Sequence, residues 1–232
     1  MPEAEAVRNI FGGIAKRYDA ANHLLSGGVD FLWRNKLVKL VQKTNPSKVV
    51  DLATGSGDVA FALKSKLGDT AEVKGLDFCQ PMLEEAEKKR LNKRPVPKID
   101  FASGDILNLP LKDHSVDVMT VAFGIRNLEN RDLGFSQIKS KLRSGGSLFI
   151  LEFSQPYSWI RPFYYIYLKY ILPTIAGWIT RKPKAYNYLG CTIEEFPAWE
   201  ELTKELAEAE FVNIQATPMT LGIVYIHQAI AP

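Results

Sequence analysis

Short apolar runs rich in β-branched residues recur along the chain at "KVVDLA" (48–53), "EVKGLDF" (72–78), "KIDFASGD" (98–105), "VDVMTVAF" (116–123) and "SLFILEFS" (147–154). Between most of them the apolar positions shift to a helical period. Strands alternating with helices in this way predict βαβ units, a parallel sheet and ligands held at the carboxyl ends of the strands. After the helical "AWEELTKELAEAE" (198–210), the runs "FVNIQATP" (211–218) and "GIVYIHQAI" (222–230) predict a closing β-hairpin. The expected fold is α/β, a doubly wound, mainly parallel seven-stranded sheet forming one domain over residues 1–232. Two stretches fall outside that pattern, residues 1–45 and 156–190, and are expected to form an N-terminal cap and an inserted helical lid.

A chain of 232 residues with 46% apolar residues can bury one sizeable core. Its net charge of +3 mixes both signs throughout, so no nucleic-acid partner is expected. Cys79 and Cys191 form no C-x-x-C pair and have no clustered histidines, so neither a metal site nor a disulfide framework is expected. The leading "MPEAEAVRNIFGGIAKRYD" lacks the apolar stretch of a secretory signal, which points to a reducing, cytoplasmic location.

The first predicted strand runs into a glycine turn in "VVDLATGSGDVAFAL" (49–63). Gly55, Gly57 and Ala60 fit the G-x-G-x-x-G/A dinucleotide fingerprint, and the acidic Asp77 follows at about the expected distance. A pyrophosphate there would sit on backbone amides and a helix N-terminus, and the carboxylate of Asp51 would oppose it. The same carboxylate suits a cationic ligand such as S-adenosylmethionine, with its ammonium and sulfonium groups. Asp77 ends the second strand, placed to accept both ribose hydroxyls. Asp105 ends the third, placed to accept the adenine amino group while Ile106 packs on the ring. Each acid alone has a plainer role as a turn or N-cap residue; three in strand order favour the methyl donor.

Alternatives stay open at this level. Tyr165 lies four residues before Lys169, the spacing of short-chain dehydrogenases, which would make the chain a nicotinamide-dependent reductase. A protein that binds the donor without catalysis is the other. The aromatic stretch "PYSWIRPFYYIYLKYILPTIAGWIT" (156–180) is interrupted by Arg161, Pro162, Lys169 and Pro173, so a spanning helix is not expected. It suits a membrane surface, a core helix or a homodimer contact.

Taken together, these residues resemble the class I methyltransferases, and more closely the quinone C-methyltransferases of menaquinone and ubiquinone synthesis. "RYDAANHLLSGGVDFLW" (17–33) resembles that family's first signature through Tyr18, Asp19, Asn22, Ser26 and Trp33. "VAFGIRN" (121–127) resembles its fourth-strand motif, "SGGSLFILEFS" (144–154) its second signature through Gly145, Gly146, Glu152 and Ser154, and "AYNYLGCTIEEFP" (185–197) also has a counterpart. Ala21 and Asp30 depart from the family's usual methionine and histidine. The resemblance implies C-methylation of a prenylated hydroquinone, demethylmenaquinol first, by S-adenosylmethionine at the inner face of a membrane. It implies a donor site of Ser56, Asp77, Asp105, Ile106 and Ala122, joined by Asp51, Gly55 and Gly57 from the glycine turn. Arg126 is then expected to stabilise the developing oxyanion and Asn127 to orient a hydroxyl or water, with Tyr18 and His23 handling protons. The plain alternative for Arg126 is a solvated loop residue.

Overall fold

The structure, a computed structural model, describes residues 5, 7, 8, 10, 12, 13, 15, 19, 22, 23, 26–175 and 183–232, and within 183–189 the side chain of 188 alone. Seven strands form one sheet: β1 (Lys48–Leu52), β2 (Glu72–Asp77), β3 (Ile99–Ser103), β4 (Val116–Ala122), β5 (Leu142–Phe153), β6 (Val212–Met219) and β7 (Val224–Ile230). Their order is β3-β2-β1-β4-β5-β7-β6. The first five run parallel, and the predicted hairpin closes the sheet antiparallel through β7 and β6. This is the doubly wound arrangement expected. The order reverses at β1, so the ends of β1, β2 and β4 open one crevice.

Helices cover both faces. On one side lie α1 (Val29–Lys43) and α2 (Asp58–Leu67), whose Trp33, Leu37, Val41, Val59 and Leu63 meet Val49, Val118, Phe149 and Leu151. On the other, α4 (Arg131–Lys141) and α7 (Trp199–Glu208) bury Phe135, Ile138, Leu202 and Leu206 against Val50, Leu52, Met119, Val121 and Ile150. Alternate residues of each central strand thus enter opposite layers, which is why these strands read as unbroken apolar runs. Each fully buried Leu, Ile, Val or Phe contributes roughly 1.5–3 kcal/mol of transfer free energy, so this two-sided core dominates stability. Helix α3 (Gln80–Asn92) follows β2, and α6 (Pro183–Glu195) precedes α7.

Two boundaries differ from the sequence pattern. β5 starts at Leu142, five residues before the apolar run, because Leu142 pairs with Val116 ahead of a register shift at the double glycine. Gly145 takes φ +73° there, a left-handed conformation that suits glycine. Residues 1–45 also divide: the described residues from 5 to 23 are helical and lie toward the carboxyl ends of the strands, whereas α1 belongs to the core.

The aromatic stretch forms α5 (Arg161–Ile166) followed by a π-turn over Tyr167–Ile171; residues 176–180 lie outside the described residues. Tyr164, Leu168 and Leu172 face inward onto Ile193, while Trp159, Phe163 and Tyr170 are 63%, 70% and 61% exposed. Among the described residues no helix is long and apolar enough to cross a membrane.

Candidate active site

The crevice at the strand ends holds two cavities. The first, of about 140 Å³, is lined by Asp51, Gly55, Ser56, Asp58, Asp77, Asp105, Ile106, Ala122, Asn127 and Glu129, among others. Its described wall carries these five carboxylates and one guanidinium, that of Arg34, so its charge favours a cation over a phosphate. The glycine-turn amides are also already engaged. Gly55 N–H donates to Asp77 Oδ2 at 2.7 Å and Gly57 N–H to the Thr54 carbonyl at 2.9 Å. A pyrophosphate would find neither amide free.

Asp51 is buried beneath this turn and accepts bonds from Thr54 and Thr120, both at 2.6 Å. Burial pushes its carboxyl up to about 6, against the pull of those two hydroxyls. A cation entering the cavity would relieve that strained charge. Asp77 is buried too, and burial raises its carboxyl above the usual range although the amides of Cys79, Gly55 and Phe78 favour the ionised form. Those amides orient the carboxylate and leave lone pairs for further donors, since an ionised carboxylate offers about four acceptor sites. Asp105 makes a turn bond to Leu107 N–H at 2.9 Å while lining the cavity, so its plain and functional roles coexist.

Gly57 is a correction. It does not line the cavity. It starts α2 at φ +87°, and a Cβ there would stand 2.7 Å from the Phe101 ring. Its place in the fingerprint reflects backbone conformation and close packing.

The second cavity, of about 310 Å³, is larger and mostly apolar, with Trp33, Phe123, Phe153, Tyr164, Leu168 and Ile223 in its wall. Arg34 and Phe123 border both cavities. Phe123 holds φ +59°, uncommon for a large side chain, at the end of β4, and its ring centroid lies 4.9 Å from that of Phe153. Burial raises the phenols of Tyr164 and Tyr167 in this wall.

Arg126 lines the second cavity and is no solvated loop residue: its side chain is 2% exposed. Nη1 pairs with Glu152 Oε1 at 2.6 Å and donates to the Phe123 carbonyl at 2.7 Å, while Nε is buried without a partner among the described residues. Its charge is thus already paired with Glu152, a contact that the sequence motifs did not indicate. Asn127 lines the first cavity, and its Oδ1 accepts from the Tyr188 hydroxyl at 3.1 Å.

His23 lines neither cavity, contrary to a direct catalytic role. It stacks on Phe31 at 4.2 Å between ring centroids, with Nδ1 2.6 Å from Asp30 Oδ2. Tyr18 lies outside the described residues. Asp19 accepts from Ser56 Oγ at 2.5 Å and pairs with Lys89, tying the leading segment to the glycine turn. Arg34 Nη1 then joins Asp58 at 2.9 Å to Asp30 at 2.8 Å, so one charged network runs between the cavities. Tyr165 donates to Gln155 and Lys169 stands over the Tyr170 ring; neither lines the first cavity, so the dehydrogenase pair is not assembled there.

Most of the second cavity was missed by sequence reasoning. Trp33, Phe123, Phe153, Tyr164, Leu172 and Ile223 all lie in stretches that stand out in the sequence, but those stretches share no spacing that would bring them to one wall, and Thr220 lies in none of them.

The ubiE/COQ5 methyltransferase family model matches residues 2–231. A demethylmenaquinone methyltransferase of Porphyromonas gingivalis is 33% identical over 99% of this chain and 94% of its own. Another, of Thermus thermophilus, is 38% identical over 94% of this chain and 98% of its own. A crystal structure described as a SAM-dependent methyltransferase from Thermotoga maritima superposes with a TM-score of 0.66 at 17% identity, covering 97% of this chain and 99% of that one, which supports the fold. With the family model spanning nearly every residue and these relatives matching end to end, the chain belongs to the ubiE/COQ5 methyltransferase family.

Proposed function

We propose that this protein transfers the methyl group of S-adenosylmethionine to a ring carbon of a prenylated hydroquinone, converting demethylmenaquinol to menaquinol. The observation that carries this is the meeting of a carboxylate-lined cavity and a larger apolar one across Arg34 and Phe123. S-adenosylmethionine supplies an electrophilic methyl on a sulfonium. Asp51 provides counter-charge to its cationic end, Gly55 and Ser56 border it, and Asp77 receives the ribose hydroxyls. Asp105 and Ile106 take the adenine edge and face, with Ala122 beneath.

The apolar cavity suits a flat aromatic ring, and its volume is at the lower end of ordinary small-molecule sites. Trp33, Phe123 and Phe153 exclude water and align the ring with the methyl, an orientation that lowers the barrier by making the transfer effectively unimolecular. Arg126 presents its unpartnered Nε to oxygen charge developing in the ring, and Asn127 orients a hydroxyl or water. The test is transfer of a radiolabelled methyl group to demethylmenaquinol and to the ubiquinone-type benzoquinol, side by side. Transfer to neither would contradict the proposal.

The outer face of the aromatic helix supports a cytoplasmic location against the inner face of the membrane. Trp159, Phe163, Ile166 and Tyr170 are exposed beside Arg161 and Lys169, a composition suited to anionic headgroups. The inward face of the same helix walls the apolar cavity, so a lipid tail has a short route in. Trp159→Ser/Phe163→Ser should reduce cosedimentation with anionic vesicles at least about tenfold, since each large apolar side chain contributes roughly 1.5–3 kcal/mol when buried. Unchanged binding to vesicles, or a homodimer in light scattering that the double substitution dissolves, would assign this face to protein contact instead.

A further inference from the structure

The apolar cavity has a second polar corner besides Arg126. Asn22, Ser26, Asp30 and Arg34 border it, each four residues from the next. Asp30 is buried and is the sole carboxylate among the described lining residues. Three donors orient it. Ser26 Oγ donates to Oδ1 at 2.7 Å, Arg34 Nη1 donates to Oδ2 at 2.8 Å, and His23 Nδ1 stands 2.6 Å from Oδ2. An ionised carboxylate has about four acceptor sites, so one remains for a hydroxyl entering from the cavity. The phenols of Tyr164 and Tyr167 in the same wall are raised by burial and are poor bases near neutral pH. Glu152 is spent on Arg126 and on the amide of Phe153.

Resting on the methyl-transfer proposal, we infer that Asp30 is the general base for the acceptor hydroxyl, with His23, Ser26 and Arg34 as its positioning residues. The hydroxyl O–H bond breaks toward the Asp30 carboxylate, and the freed electron pair pushes into the ring. The ring carbon forms its bond to the methyl as the carbon–sulfur pair stays with sulfur. The hydrogen on the methylated carbon then moves through water to the ring oxygen as aromaticity returns. One proton per turnover is left on Asp30 and passes to solvent as product leaves, which balances the lost sulfonium charge.

The titratable and charged groups facing Asp30 are Arg34 and His23, with Asp58 and Lys89 one step beyond and Arg126 in the same cavity wall. Asp30→Asn keeps the shape and should lower kcat about 10²-fold, the low end of general-base effects. The acceptor KM and the calorimetric Kd for S-adenosylhomocysteine should stay within about twofold. The deficit should shrink as pH rises toward the ionisation of a phenol, near ~10, and with a fluorinated hydroquinone whose hydroxyl is more acidic. A structural role predicts the same deficit for both acceptors at every pH, and that result, or full kcat, overturns the inference. If Asp30→Asn fails to fold, His23→Ala, which leaves the Ser26 and Arg34 bonds, should show the same acceptor-dependent deficit at about tenfold; equal loss with both acceptors overturns it. Absence of transfer by the wild-type chain to any reduced quinol is a separate result and removes the methyl-transfer proposal itself.

Discussion

Replacing Arg126 by alanine is expected to lower kcat by about 10²- to 10³-fold while the donor Kd changes by less than about twofold, the effect typical of losing one oxyanion donor. The arrangement dictates how this must be measured. Arg126 and Glu152 form an ion pair at 2.6 Å with side chains 2% and 1% exposed. Removing one partner leaves the other charge buried, at a cost of roughly 3–5 kcal/mol of stability. Arg126→Ala alone therefore confounds folding with chemistry. The double variant Arg126→Ala/Glu152→Gln removes both charges and should regain much of the melting temperature without regaining kcat. Arg126→Lys should restore only part of the rate, because a point charge cannot keep the Glu152 and Phe123 bonds and also offer the planar Nε–H. Wild-type kcat in the folded double variant would leave Arg126 a purely structural residue.

Asp77→Ala is expected to weaken S-adenosylmethionine binding by about 2–3 kcal/mol, close to a hundredfold in Kd. Two contributions act together. The proposed ribose hydroxyls lose a charged acceptor in a buried setting, and the glycine turn loses the anchor to which Gly55 N–H and Cys79 N–H donate at 2.7 and 2.8 Å. Asp77→Asn keeps the shape and one acceptor oxygen, so it should fall between wild type and alanine. Calorimetric titration with S-adenosylhomocysteine reads both variants. A folded alanine variant with an unchanged Kd would remove Asp77 from the donor site.

The sheet was legible because each central strand is apolar on both faces and each connection switches to a helical period. Val49 and Val50 enter opposite layers, as do Phe149 and Ile150, and the sequence shows that as continuous runs. Part of the first cavity was legible for the same topological reason, since Asp51, Asp77 and Asp105 stand at or just past the ends of the first three strands, whereas Asp58 and Glu129 do not and were not anticipated. The apolar cavity was not. Its wall joins α1, the end of β4, the end of β5, the aromatic helix and the turn before β7, and no periodicity links residues so far apart. The Arg126–Glu152 pair was hidden likewise: both residues stood in recognisable motifs, but their contact depends on β4 and β5 being neighbours. His23 failed for a different cause, because its partner Asp30 reaches the cavity and it does not.

Methyl transfer here needs a nucleophilic ring carbon, and of the two redox forms of the acceptor only the hydroquinone has one. The direct measurement is incorporation of radiolabelled methyl from S-adenosylmethionine into demethylmenaquinol held reduced, against the same acceptor held as the quinone. Incorporation at carbon is expected with the reduced acceptor, and background counts with the oxidised one. Equal incorporation under strictly oxidising conditions, or none into the reduced acceptor, would contradict it.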